Sequence, residues 1–149
     1  MFTEAAKVRF KYIQLDWARR ADFLGLPNKW PSPDPIVQDL KTLRIADEQP
    51  YIFRLSYLGV EAQRQGKGIE FAKEVASVIF SGTENWHEGD HIKDATRRAG
   101  LDLEHMEEKI GSGADHAKEI EANQQSLESV GQWGAVSYTH LRAHETRPY

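Results

Sequence analysis

Pro50-Tyr51-Ile52-Phe53-Arg54-Leu55-Ser56-Tyr57-Leu58-Gly59-Val60-Glu61-Ala62 carries two apolar stripes at helical spacing. Ile52, Leu55, Leu58 and Ala62 recur at steps of three and four, which brings them onto one face of an α-helix; Phe53, Tyr57 and Val60 mark a second face. A helix that is apolar on two sides is buried on two sides, so this one is predicted to be the central helix of a helical domain. Pro50 is placed to open it in the first turn, where its missing N–H costs nothing, with Asp47 or Glu48 near the positive end.

The same periodicity runs outward in both directions. Upstream, Phe10, Ile13, Trp17, Ala21 and Leu24 predict one face of a helix from about Thr3 to Leu24, ended by Gly25 and Pro27. Four prolines then fall between Pro27 and Pro35, an extended loop that holds Trp30. Downstream, Gln65-Gly66-Lys67-Gly68 interrupts the pattern. A third helix follows with Ile69, Ala72, Val75, Ala76 and Ile79 facing in, and Ser81-Gly82 stops it. Asp90 is placed to cap a short helix ending at Gly100, and Asp102 to cap another bearing Leu103, Met106 and Ile110. A last helix, about Ala114 to Val130, is expected to bury Ala117, Ile120, Leu127 and Val130, with Gln124 on the same line. No stretch alternates over the ~4–8 residues that a half-buried strand needs. The predicted fold class is therefore mainly α, with about six helices.

The end of the chain reads differently. Ala135 to Thr146 matches, residue for residue, one translation frame of a transposase-type sequencing adapter, and Arg147, Pro148 and Tyr149 fit that frame beyond it. Residues 135–149 are expected to be a translated, metagenomic artefact tail, excluded from fold reasoning, and the natural sequence to stop, interrupted, at Gly134. Without Arg142, Glu145 and Arg147 the net charge moves from −4 to −5, and His140 and His144 leave the histidine inventory.

A mildly acidic chain is a poor match for nucleic acid or an anionic membrane surface, which favour clustered Lys and Arg. Neither an apolar run of about 18 residues nor an apolar signal core after Met1 is present, so no membrane partner and no secretion are expected. The absence of cysteine excludes disulfides, thiolate metal sites and a cysteine nucleophile, and fits a cytoplasmic location.

His87-Glu88-Gly89-Asp90-His91 spells the H-E-x-x-H string of zinc hydrolases. That chemistry needs both histidines on one helical face, and Gly89 and Asp90 are weak helix formers. A loop ending at Asp90, with His91 in the first turn of a helix, is the better reading, and no metal is expected. Gly66-Lys67-Gly68 lacks the spacing of a phosphate loop; Arg19-Arg20 and Arg97-Arg98 read as solvated faces, and Trp17 and Trp86 as core or core-edge residues.

Two further stretches carry a family resemblance. Lys7-Val8-Arg9-Phe10-Lys11-Tyr12-Ile13-Gln14-Leu15-Asp16, followed by Arg19 and Gly25-Leu26-Pro27, resembles a helix of the 2-hydroxychromene-2-carboxylate isomerases. These belong to the DsbA-like, kappa-class glutathione transferase branch of the thioredoxin superfamily. Gly131-Gln132-Trp133-Gly134 is similar to the aromatic-glycine turn that precedes that family's Val-Pro-Thr and its cis-proline. Asn85 to His91, with Ala99-Gly100-Leu101-Asp102, resembles the family's inter-helix loop and the helix start after it.

Across residues 4 to 134 the resemblance implies the helical insertion of a split thioredoxin fold, cut at both ends and with its sheet largely missing. It makes residues 1–134 a fragment, inactive alone, that contains no catalytic residue; a serine, or a cysteine in oxidoreductase relatives, would lie upstream. The implied cofactor is glutathione, whose thiolate adds reversibly to a conjugated small-molecule substrate, and the implied assembly extends to a homodimer. Lys7, Trp30 and Asp34 are the positions nearest the family's substrate-contacting segments. Each has a structural reading as well: Lys7 as a solvated helix residue, Trp30 as a loop anchor, Asp34 as a turn residue before Pro35. Thr3 and Glu4 depart from the family's polar-basic pair, which points to a different substrate. The alternatives are a fragment of a DsbA-like thiol-disulfide oxidoreductase and a free-standing helical binding module. As a fragment, residues 1–134 are expected to be helical yet weakly melting or self-associating, since uncovered apolar faces invite interaction.

Overall fold

The computed structural model describes residues 4–131 apart from 40, 41 and 43, and omits the side chains of residues 4–7 and 9–11. Six helices dominate these residues: α1 (Glu4–Phe23), α2 (Ile52–Arg64), α3 (Gly68–Phe80), α4 (His91–Arg98), α5 (Leu103–Ile110) and α6 (Ala114–Ser129). Strands β1 (Gln38–Asp39) and β2 (Arg44–Ile45) form a short antiparallel ladder pairing Gln38 with Ile45 and Asp39 with Arg44. Each is two residues long, too short for alternation to show in the sequence. The adapter-like residues 135–149 and the Trp133 turn lie outside the described residues.

Helix α2 is central, as its two apolar faces require: it packs against α3, α5 and α6, while α3 also packs on α4 and α4 on α5. Leu58 and Ala62 point into the main core with Phe71, Val75, Ile79, Trp86, Ile92, Ala95, Ala99 and Met106. Burying each of the larger of these side chains stabilises the fold by about 1.5–3 kcal/mol. The second face of α2 differs from expectation, because Phe53 is exposed and the buried residue there is Glu61, beside half-buried Tyr57. The ring of Tyr57 lies where a side chain at Gly113 would sit: a Cβ there would come within 2.7 Å of Tyr57 Cε2. Gly113 also holds φ at +74°, so glycine is required twice over.

Helix boundaries follow local chemistry with two departures. Pro50 stands before the first turn, Tyr51 takes the N-cap position, and neither Asp47 nor Glu48 lies in the first turn of α2. Asp90 takes the N-cap position of α4 but its carboxylate makes no capping bond. Asp102, by contrast, accepts from His105 N at 2.7 Å, the cap its position predicts. Gly25 after α1 and Gly82 after α3 hold φ at +64° and +95°, the left-handed turn that glycine tolerates.

Three apolar faces are rotated or uncovered relative to the sequence reading. On α3 the inward residues are Phe71, Val75 and Ile79, whereas Ile69 is 82% exposed and Ala72 and Ala76 face outward. On α6 the buried residue is His116; Ala117 and Val130 are exposed, and Ile120 and Leu127 are only half-buried. Among the described residues, helix α1 lies along none of the other helices. Ala21 is buried and Trp17 is held edge-on by Phe80 (centroids 5.2 Å apart), but Ile13 and Leu24 are each 54% exposed. In each case the spacing describes a helix correctly, while burial depends on a neighbour that spacing does not reveal.

Candidate substrate groove

The proline-rich loop is pinned to the α3–α4 turn by main-chain and side-chain bonds. Lys29 N donates to Phe80 O (2.8 Å), Asn85 N to Ser32 O (2.9 Å), and Trp86 Nε1 to Pro33 O (2.7 Å). Prolines lack an N–H, so at Ser32 and Pro33 the loop supplies carbonyl acceptors and the α3–α4 turn the donors, while Lys29 donates its own N–H. The Ser32–Pro33 peptide is cis. Beyond it Asp34 closes a turn: Oδ1 accepts from Ile36 N (2.9 Å) and Oδ2 from Gln38 Nε2 (3.2 Å). Gln49 fixes the next stretch, its amide accepting from Val37 N and donating to Val37 O and Ala46 O, each at 2.9 Å.

Between this loop and helices α2 and α3 runs a groove of about 470 Å³, whose lining includes the core residues Phe71, Val75 and Ile79. Trp30, Pro35 and Ile36 form one side; Leu55 and Gly59 of α2, with Ala72 and Ala76 of α3, form the other. The small residues leave room here: a Cβ built on Gly59 meets no atom within 4 Å. Trp30 is braced edge-to-face by Trp17, with centroids 6.0 Å apart and planes at 74°. The cavity has the size and the mostly apolar walls of a small-molecule site, which typically spans ~300–1,000 Å³.

Two of the three predicted site residues meet in this groove. Trp30 and Asp34 both line it, so the loop-anchor and turn-residue readings hold together with a place at the site. The side chain of Lys7 lies outside the described residues. Sequence reasoning missed Gln38 and misread Ala72 and Ala76 as core. Small residues at i and i+4, as at Ala72 and Ala76, leave a shallow trough on a helix surface, but only the packing of the loop across it makes that trough a groove wall.

The zinc-like string forms no site of its kind. His87 to Asp90 are turn and bend residues and His91 is the first residue of α4, so the two histidines do not share a helical face. His87 packs against the Tyr51 ring, centroids 4.7 Å apart. Among the described residues no three His, Cys, Asp or Glu are gathered as metal ligands.

A second polar feature joins α2 to α6. Nε2 of the buried His116 lies 3.2 Å from Glu61 Oε2 and 3.1 Å from Arg64 Nη1, and Arg64 Nε donates to Glu119 at 3.0 Å. Burial raises the Glu61 carboxyl pKa, but hydrogen bonds from Gln65 and His116, with the charges of His116 and Arg64, outweigh it and hold the group below the usual carboxylate range. His116 Nδ1 is buried and finds no hydrogen-bond partner among the described residues. A charged residue three positions after Leu58, on a helix otherwise apolar there, was the sequence sign of a buried carboxylate, though not of its partner.

The chain matches no family model, no curated protein and no solved structure. No helix among the described residues is long and apolar enough to cross a membrane.

Proposed function

We propose that this chain is the helical part of a glutathione-dependent, isomerase-like protein of the 2-hydroxychromene-2-carboxylate isomerase type, and that its groove is the substrate-side wall. The observation that carries the reading is the meeting of Trp30 and Asp34, two positions singled out by the resemblance, in one ligand-sized apolar groove. The chain's own residues bind and orient: apolar walls remove water from a conjugated substrate, and the pinned loop fixes the position of Trp30. Glutathione itself does not fit here. Its ammonium could face Asp34, but its two carboxylates would meet no cation among the described lining residues, so no chemical step is assigned to these residues. The thiol chemistry belongs to the thioredoxin part that the resemblance implies.

Sequencing the source DNA across both sides of the reading frame tests this assignment. A strand-helix segment with a serine upstream, together with Val-Pro-Thr after Gly134, is the expected result. Cys-x-x-Cys upstream would move the protein to thiol-disulfide exchange. Stop codons close to both ends would leave a free-standing binding module, and the isomerase reading would fall.

A further inference from the structure

A second groove, of about 480 Å³, lies between α2 and α6 and shares no lining residue with the one beside the proline-rich loop. Its α2 wall is aromatic: Phe53 and Tyr57, one turn apart, stack with centroids 6.5 Å apart and planes at 28°. Tyr57 is held by the close approach of Gly113, while Phe53 is 55% exposed, a large ring that the core does not use. On α6, Ala117 and Ile120 continue the apolar lining, and Glu121 and Glu128 add two carboxylates. Seven residues fall within ~20° of two whole turns, so both carboxylates lie on one face of α6, with backbone positions about 10 Å apart along its axis.

Among the described residues no cation neutralises this pair. Glu121 accepts from Gln125 and Glu128 from Gln124, all within α6. The cations of the two helices are engaged elsewhere: Arg54 with Glu107, Arg64 with Glu119, and Lys118 with Asp115. Charge complementarity must therefore come from an occupant. Aromatic faces attract a cation through their quadrupole, and methylene groups gain by leaving water for apolar walls. An inorganic cation would use the carboxylates and leave the walls unused; a singly charged amine would leave one carboxylate unmatched.

We propose that this groove binds linear aliphatic diammonium compounds, with cationic nitrogens about 10 Å apart, one at Glu121 and one at Glu128, and the methylene chain against Phe53, Tyr57 and Ile120. Primary ammonium groups of this kind stay charged at pH 7, since the comparable lysine side chain has a pKa of about 10.4. The proposal is independent of the isomerase reading and of the Trp30–Asp34 groove.

Calorimetric titration of the full 149-residue chain with octamethylenediamine, tetramethylenediamine and octylamine tests it. The eight-carbon diamine is expected to bind about fivefold tighter than either of the others, because each of those misses one exposed ion pair. Glu121 and Glu128 are exposed, so Glu121→Gln and Glu128→Gln should leave the fold intact, and each is expected to bring the diamine to within about twofold of octylamine. Glu108→Gln removes the same charge from an exposed side chain outside the groove and is expected to leave the preference unchanged. Phe53→Ala is expected to weaken both eight-carbon amines about fivefold. Equal affinity of the two diamines, or a preference that Glu108→Gln lowers as much as Glu128→Gln does, would show general attraction to an acidic chain and overturn the proposal. Binding of none of the three, or binding that Phe53→Ala leaves undisturbed, would overturn it as well. Self-association that Phe53→Ala removes, with no amine bound, would give the groove to a second copy and overturn the ligand assignment.

Discussion

Helix α1 and the α2–α5 bundle are written in the same apolar code and folded to opposite ends. In the bundle, Trp86 is 1% exposed and Leu58 and Met106 are wholly buried. In α1, Val8, Tyr12, Ile13 and Leu15 are all more than half exposed, and among the described residues the helix is tied down toward its C-terminal end, by Ala21 and the ring contacts of Trp17 with Phe80 and Trp30. A stripe of apolar residues lowers free energy only when a second surface covers it. The bundle helices cover one another; α1 has no such neighbour among the described residues. The difference is one of supply, and it separates what a helix can bury from what it does bury.

That contrast is open to direct attack. Trp86→Ala removes the largest fully buried side chain together with the bond to Pro33 O, and is expected to cost about 3–5 kcal/mol in urea denaturation. A loss below about 1 kcal/mol would mean that the bundle is loosely packed and the contrast with α1 is overdrawn.

The α2–α6 contact sharpens the comparison at its polar edge. Because the folded state holds Glu61 below its unfolded pKa, the pair adds stability above the ordinary carboxylate range and loses it as pH falls through the folded value. Urea midpoints measured from pH 7 to pH 3 should fall on the acid side. Glu61→Gln should lower stability at pH 7 by about 1–3 kcal/mol and flatten the acid limb. An acid limb of unchanged slope in that variant would assign it to other carboxylates.

The smallest effect is predicted for α1. Tyr12 is 62% exposed, so Tyr12→Ser should change stability by no more than about 0.5 kcal/mol. A loss above about 1.5 kcal/mol that grows with protein concentration would show that a second molecule covers this helix.

Helix positions were legible in the sequence because glycine and the helix caps mark their ends locally. Gly25, Gly82 and Asp102 each act where they stand, through φ or a bond three residues away. Which face turns inward was legible only where the stripe was unambiguous. On α3, Ile69-Ala72-Val75-Ala76-Ile79 and Phe71-Val75-Ile79 share two members, and the bulkier Phe71 took the core while Ile69 stayed in solvent. The groove was half legible: Trp30 stood out as a large ring in a proline-rich loop, whereas Gln38, Ala72 and Ala76 reach it only through tertiary placement. Glu61–His116 joins residues 55 positions apart, a separation at which periodicity carries no information.

The bonds that pin the proline-rich loop have a mechanical side. Trp86 is at once a central member of the core and the donor to Pro33 O, so the loop wall of the groove is cantilevered from the protein's interior. Spreading that wall to admit a bulkier guest would pull on the indole at its root. Fit at the surface and cohesion at the centre are thereby a single elastic property, and a guest that seats without spreading the wall should slow the exchange of buried bundle amides along with those of the loop.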